Sequence, residues 1–377
     1  MRWTRLWAIA RKEIIQVVRD WRSLAIIAVM PIVMTMLYGY GVTLDIKHIP
    51  MYVFDREGSQ RSQDLLKGFQ ASEYFSIVKV VDNYPAIIRG IDAGRCKFAL
   101  VIPHDFSKRI AEGGTVGVQA LIDGSDDNTA NIIIGYTDAV VSRYSEQVRI
   151  EWLERQGITD VDPPLSVDAR TWFNEDLESR NFILPGVIAL VMAVIGTFLT
   201  ALTIAREWER GTMEQLVSTP VTALELVLGK LIPYFAIGMA ATALCAGLSK
   251  FWFEVPFRGH LTTLFGASAL FLFVVLALGF WISVLARSQL IASQVALVAT
   301  FMPAFLLSGF IFPLDQMPLP IRIISYVVPA RYYDTILKGV FLKGVGAGAL
   351  RFDILALVGF AFLMGGVAVL SFRKRID

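Results

Sequence analysis

The sequence predicts a polytopic α-helical membrane protein with six spans and one extracytoplasmic α/β domain. Three observations carry this. Of 377 residues, 55% are hydrophobic and 18% charged, with mean hydropathy +0.56, whereas average soluble domains carry about 25% charged residues. Six runs reach the roughly 20 apolar residues that a bilayer core requires: 23–43, 181–205 (its uncharged apolar part from 183), 224–249, 261–286, 290–312 and 352–372. Between the first and second runs lies one long polar insert, residues 44–180, with 15 Lys/Arg against 22 Asp/Glu. The net charge of +2 and the lack of a basic, aromatic-interleaved stripe argue against nucleic acid. Cys96 and Cys245 sit in unrelated contexts and suggest no disulfide framework.

In chain order, residues 1–22 place Trp3, Trp7, Ala10, Ile14, Val17 and Trp21 at steps of four and three, with Arg5, Arg11, Lys12, Arg19 and Arg22 mostly elsewhere. That pattern predicts a cytoplasmic helix lying in the membrane interface, aromatic and aliphatic groups facing the lipid. The first apolar run is long enough to remain as an anchor, and no cleavage site follows it. Pro31 and the "YGYG" ending predict a kink or wide turn. Six Arg/Lys among the first 22 residues, against two acids, and the ending "RKRID" put both termini inside. The even span count agrees, and it places the acidic insert outside.

Within the insert, "MYVFD" (51–55), "FSIVKVV" (75–81), "KFALVIP" (97–103) and "VGVQALI" (116–122) have strand composition. Helical patterns fill 61–70, 84–93 and 104–112. A long helix is expected over about 128–156, capped by Asn128 or Thr129, with Tyr136, Val140, Tyr144, Val148 and Trp152 at four-residue steps. Residues 160–170, containing "DPP", form the return linker. Residues 313–350 are too interrupted by Pro313, Pro318, Pro320 and Pro329 for a span, yet contain amphipathic pieces. Short helices dipping into the outer leaflet fit both facts.

Motifs for chemistry are few. There is no phosphate-cradling G-x-x-x-x-G-K-[ST], so no nucleotide site of that kind. His48, His104 and His260 are scattered, and no zinc spacing exists. "DGSDDN" (123–128) lacks the glycine and glutamate of a calcium loop and reads as a turn plus helix cap. Runs two, four, five and six are expected to be free of ionisable residues, as is run one before its outer end; Glu225 and Lys230, opening the third, can snorkel to the cytoplasmic interface. An ion-coupled carrier needs carboxylates or histidines at mid-depth, so energy for any transport comes from elsewhere. Thr197, Thr200, Ser293, Gln294 and Ser308 are small polar groups that could contact an apolar or amphiphilic solute, or could equally be helix-packing contacts.

A dense charged knot between two apolar runs is "AREWERGTMEQLVSTPV", 205–221. The second span continues as a helix through Arg210, with Glu207 and Arg210 spaced to pair, and Gly211 suits a left-handed C′ position. Thr212-x-x-Gln215 and Thr222-x-x-Glu225 are capping-box patterns. Between them a short helix, 213–218, sets Met213, Leu216 and Val217 on one side until Pro220 stops it. Residues 206–223 therefore read as a rigid cytoplasmic elbow.

These pieces resemble one family. "RKEIIQVVRD" (11–20), the elbow, and "SGFIFPLDQMPLPIRIISYVVPARYY" (308–333) are together similar to the permease subunits of ABC-2 type exporters. The resemblance implies a bacterial inner-membrane permease. It works with cytoplasmic ABC ATPase chains, which alone bind ATP and Mg, and with a second permease copy or a homologous one. The large insert is similar to that of six-span members with a periplasmic domain, often partnered with a membrane-fusion protein. No cofactor is implied in this chain, and the substrates are amphiphiles such as drugs or lipids. In such a subunit Glu207, Glu209 and Arg210 orient the coupling elbow, Gly211 makes its bend, and Met213, Glu214 and Leu216 meet the ATPase, with Arg206, Thr212 and Val217 also belonging to the coupling segment. A membrane-anchored binding or sensing protein is the competing expectation, and a polytopic membrane enzyme a weaker one.

Overall fold

The computed structural model describes residues 3–42, 48–156, 173–174 and 178–371. The chain forms two units, Leu44–Arg170 and the remainder, and each is considered by itself. The expected linker at 160–170 lies outside the described residues.

The larger unit begins with α1 (Trp3–Arg19) and α2 (Trp21–Gly41), which carries Pro31 within it. The expected lipid-facing stripe of α1 is divided. Leu6, Ala10, Glu13 and Val17 are buried against the protein, whereas Trp3, Trp7, Ile14 and Val18 form an exposed apolar face. Ala10 and Val17 thus pack inward, because another helix of this unit covers that side; the Trp21 side chain lies outside the description.

The smaller unit runs β1 (Ile49–Asp55), α3 (Gln60–Gln70), β2 (Phe75–Val80), α4 (Tyr84–Asp92), β3 (Phe98–Ile102), α5 (Phe106–Ala111), β4 (Gln119–Ile122), α6 (Asp127–Arg155). The sheet order is β2-β1-β3-β4, with β1 parallel to both neighbours and β4 antiparallel to β3. Side chains alternate between faces along a strand, so the sheet has two cores. Met51, Val53, Phe98 and Leu100 pack with Leu65 and Phe69 of α3 and Ile133 of α6. Tyr52, Ala99 and Val101 pack with Ile87 of α4 on the other face. Residues of β3 are buried throughout, as suits a central strand covered on both sides. The cap of α6 is Asp126, which accepts from the Thr129 N–H, not Asn128 or Thr129. The first three residues of the strand expected at 116–122 belong to a loop, since β4 pairs only from Gln119.

The larger unit resumes with α7 (Ser179–Glu209), α8 (Met213–Ser218), α9 (Ala223–Phe251), α10 (Leu261–Ala286) and α11 (Gln289–Leu307). Short helices α12 (Leu319–Ser325) and α13 (Pro329–Lys338) lead to α14 (Arg351–Ser371). Among the described residues, five helices, α7, α9, α10, α11 and α14, are long and apolar enough to cross a membrane, while the apolar part of α2, Ile27–Gly41, is shorter. Almost every residue of α7 from Ile183 to Ala205 is buried, which makes it the central helix. Helix α11 stops at Leu307, short of the expected 312, because Gly309 takes a positive φ of 87° and the Ser308 hydroxyl accepts from the Phe310 N–H. The sixth apolar run is not free of ionisable residues as expected: Asp353, in the first turn of α14, is a carboxylate at the end of the helix.

Helices α7 and α10 touch backbone to backbone at Gly279. A Cβ there would lie 2.9 Å from Thr197 Cα and closer still to the Thr197 carbonyl and the Thr200 hydroxyl. Apolar helices in lipid gain from such close approach because no hydrophobic force separates helix from lipid contact. Gly279→Val should cost about 1–3 kcal/mol through overpacking, read as a lower thermal midpoint of the purified protein. Gly266→Val on the same helix, where a Cβ meets nothing within 4 Å, should leave the midpoint in place. Equal effects would contradict this packing.

Candidate functional site

The elbow was legible as a charged knot, and Arg206, Glu207 and Glu209 in it each have a structural use. Helix α7 ends at Glu209 with Arg210 as its cap, and Gly211 adopts φ 67° at the C′ position. The chain then turns into α8, and Thr222 with Glu225 forms a complete capping box at the start of α9. The first expected box fails. Thr212 makes no cap to α8; its hydroxyl donates to the Glu207 carboxylate instead.

Glu207 does not pair with Arg210, which is exposed. Its Oε1 accepts from Lys12 Nζ at 2.8 Å and from Lys230 Nζ at 3.3 Å. Lys230 Nζ also reaches Glu13 Oε1 at 2.5 Å, and Tyr234 Oη donates to Glu13 Oε2 at 3.2 Å. Lys230 is 1% exposed and Glu13 2% exposed. The snorkelling expected of Lys230 and Glu225 is therefore replaced by burial under α1, whose Ile9 and Leu6 carbonyl lie against Gly229. An ammonium taken out of water needs carboxylates at contact distance, and one comes from each of α1 and α7.

The neighbouring residues extend the tie. Arg206 reaches Asp20 at 3.4 Å and the Gln289 side chain at 3.3 Å. Glu209 accepts from the backbone N–H of Gln289 at 2.8 Å and from its side-chain amide, so it satisfies the opening turn of α11. Arg287 lies 4.9 Å over the Trp208 ring. At the far end of the elbow, Arg5 donates to the Pro220 carbonyl at 2.5 Å. Met213, expected to face a partner, is 4% exposed and sits in the chain's own core. The side chains of Glu214, Leu216 and Val217 lie outside the description. Arg210, Gly211, Gln215, Ser218, Thr219 and Pro220 form the exposed side of the elbow.

Sequence reading missed Lys12, Glu13, Asp20, Lys230, Tyr234 and Gln289 as members of this site. The available signal was that an ionisable residue inside an apolar helix requires a partner, and "RKEII" supplies both signs. It also missed Asp334 and Lys338 of α13, which pair at 2.8 Å while Lys338 donates to the Gly309 carbonyl at 2.7 Å.

The five residues considered for a solute path are dispersed. Thr197 donates to the Val275 carbonyl, Thr200 to that of Gly196, and Ser308 serves the turn after α11. Ser293 donates to the Leu290 carbonyl, and Gln294 lies on the exposed side of α11. None of the five lines the apolar cavity of about 380 Å³ among α7, α10, α11 and α14, or that of about 660 Å³ among α9, α10 and α14. Their alternative reading as packing groups fits Thr197 and Thr200.

Comparison with known proteins follows the same lines. The family model "ABC-2 family transporter protein" matches residues 21–370. Over 376 residues the chain is 39% identical to the "Probable multidrug ABC transporter permease YbhS" of Escherichia coli (strain K12), covering 100% of this chain and 98% of that one. It is 24% identical over 375 residues to "Probable multidrug ABC transporter permease YbhR" of the same strain, with 99% of each chain covered. It is also 22% identical over 344 residues to "ABC transporter G family member 20" of Dictyostelium discoideum, 90% of this chain and 46% of that longer one. A multi-pass apolar helical unit matched over almost its full length in this way is a membrane subunit of an ABC transporter, and the chain belongs to the ABC-2 family.

Proposed function

We propose that the chain is the permease subunit of an ATP-driven exporter that moves amphiphilic or hydrophobic solutes outward across the inner membrane. In this reading α2 is the sixth span, both termini and the elbow are cytoplasmic, and the α/β unit is periplasmic. A separate ATPase docks on the elbow, and a second permease copy or a homologue completes the pore. A membrane-fusion protein would meet the periplasmic unit. The names of the Escherichia coli relatives support the drug-like solute class.

The observation that carries the reading is the buried charge network. It fastens the elbow to α1, α9 and α11, so a push on the elbow moves those helices instead of bending a loop. Packed elements tied together in this way, not soft ones, carry a small shift as rigid-body motion. With Met213 buried, docking falls to the exposed residues Arg210, Gln215, Ser218 and Pro220.

Three outcomes follow. Ser218→Arg with Gln215→Arg should release the co-purifying ATPase without lowering the permease's own thermal midpoint; retained ATPase would remove the elbow as the docking site. Lys230→Met leaves two buried carboxylates short of a partner and should cost about 3–5 kcal/mol, whereas Glu13→Met with Lys230→Met together should cost less than the sum. Additive losses in thermal unfolding would show that the pair is not coupled. In intact spheroplasts, a membrane-impermeant maleimide should label Lys108→Cys directly but Arg210→Cys only after permeabilisation. The reverse order would invert the proposed topology.

A further inference from the structure

The α/β unit contains an open groove of about 400 Å³ between α6 and the loop 113–118, within the roughly 300–1,000 Å³ of small-molecule sites. The stripe noted in the sequence explains it. Tyr136, Val140 and Tyr144 pack on the sheet core, but Val148 and Trp152 run on beyond it and line the groove opposite Phe106, Ile110 and Val116. These walls are aliphatic and aromatic.

Donors gather on the α6 side. Ser145, Arg149 and Trp152 line the groove at steps of four and three, which puts them on one helix stripe. Arg149 is the only charged residue in that lining. Among the described residues it makes one ion pair, to Glu146 at 3.9 Å, which is long and exposed. Among the described residues, neither the Ser145 hydroxyl nor Trp152 Nε1 makes a hydrogen bond. A second hollow of about 250 Å³ continues along α6 toward β4 and shares Val118 and Val141 with the first. There the Thr137 hydroxyl, 8% exposed, has no partner among the described residues, and a buried hydroxyl of that kind is ordinarily satisfied by water or a ligand. Asp138 stands at this end. The two hollows together follow α6 from Ile134 to Trp152, about 27 Å of helix at 1.5 Å per residue.

We propose that this groove binds a single-chain amphiphile with an anionic head, its head at Arg149, Ser145 and Trp152 and its chain along Val148, Val141 and Val118. The shape is long and narrow, and the walls are apolar. The charge is asymmetric, with a guanidinium at one end and a carboxylate at the other, which fixes the direction of the bound molecule. The site belongs to the α/β unit alone and requires no ATPase, so it stands or falls separately from the transport reading.

The test uses the full chain in phosphatidylcholine nanodiscs with a dodecanoate bearing a mid-chain diazirine, and the matching dodecanol as the neutral arm. Mass spectrometry after illumination should place dodecanoate adducts within 106–118 and 134–152. Arg149→Glu, a change at an exposed side chain, should raise the half-saturating dodecanoate concentration by about tenfold, the scale of one lost charge-assisted contact, while leaving dodecanol labelling unchanged. Val148→Asp should abolish both, with the thermal midpoint unaltered. Adducts confined to the apolar helices, or dodecanoate labelling indifferent to Arg149→Glu, overturn the proposal.

Discussion

One buried ammonium organises the cytoplasmic-facing corner proposed for this chain. Lys230 is held between Glu13 and Glu207 with almost no solvent contact. Water is excluded, so each of the three charges depends on the others being in place. An uncompensated charge there would cost far more than a surface ion pair contributes. The constraint is geometric as well as energetic: α1, α7 and α9 can satisfy it only in one relative placement. Lys12 and the Thr212 hydroxyl complete the coordination of Glu207, which ties the turn after α7 to the same point.

The rest of the larger unit is built by a different rule. Its apolar helices meet through small residues, as at Gly279 against Thr197 and Thr200, and through hydroxyls that donate within their own helices. Such contacts fit helices together without naming a unique partner by charge. The charged corner supplies that identity. Several side chains that look available in the sequence, Arg206, Glu207, Glu209 and Met213 among them, are engaged with the chain itself, and the proposed docking surface is drawn from the exposed residues between Arg210 and Pro220.

Much of this could be read from residues alone, where the cause is local. Strand composition placed all four strands near their true bounds, Gly211 marked the left-handed turn, and Thr222 with Glu225 gave a cap confined to four residues. The failures share a different cause. Thr212 had an equally local cap open to it, but a carboxylate five residues back in sequence competes for its hydroxyl. Glu207 was assigned to a neighbour on its own helix, yet the stronger partners come from positions 12 and 230, and no pattern within a window reports a contact of that sequence distance. Met213 was expected to face a partner and is buried in the chain's own core, since sequence does not say whether an apolar side chain meets the chain itself or another. The α1 stripe was seen, and its division into a packed and an exposed face was not, because both faces are apolar and only the position of α9 separates them.

The central claim is that the elbow and α1 move as one body when the ATPase closes. Spin labels at Arg11→Cys and Ser218→Cys, both exposed positions, would report it by pulsed electron-electron resonance in the assembled transporter with and without ATP. The account predicts an Arg11–Ser218 distance that stays fixed within each copy while the Ser218–Ser218 distance between copies changes. A within-copy distance that shifts with ATP while the inter-copy distance stays fixed would contradict it.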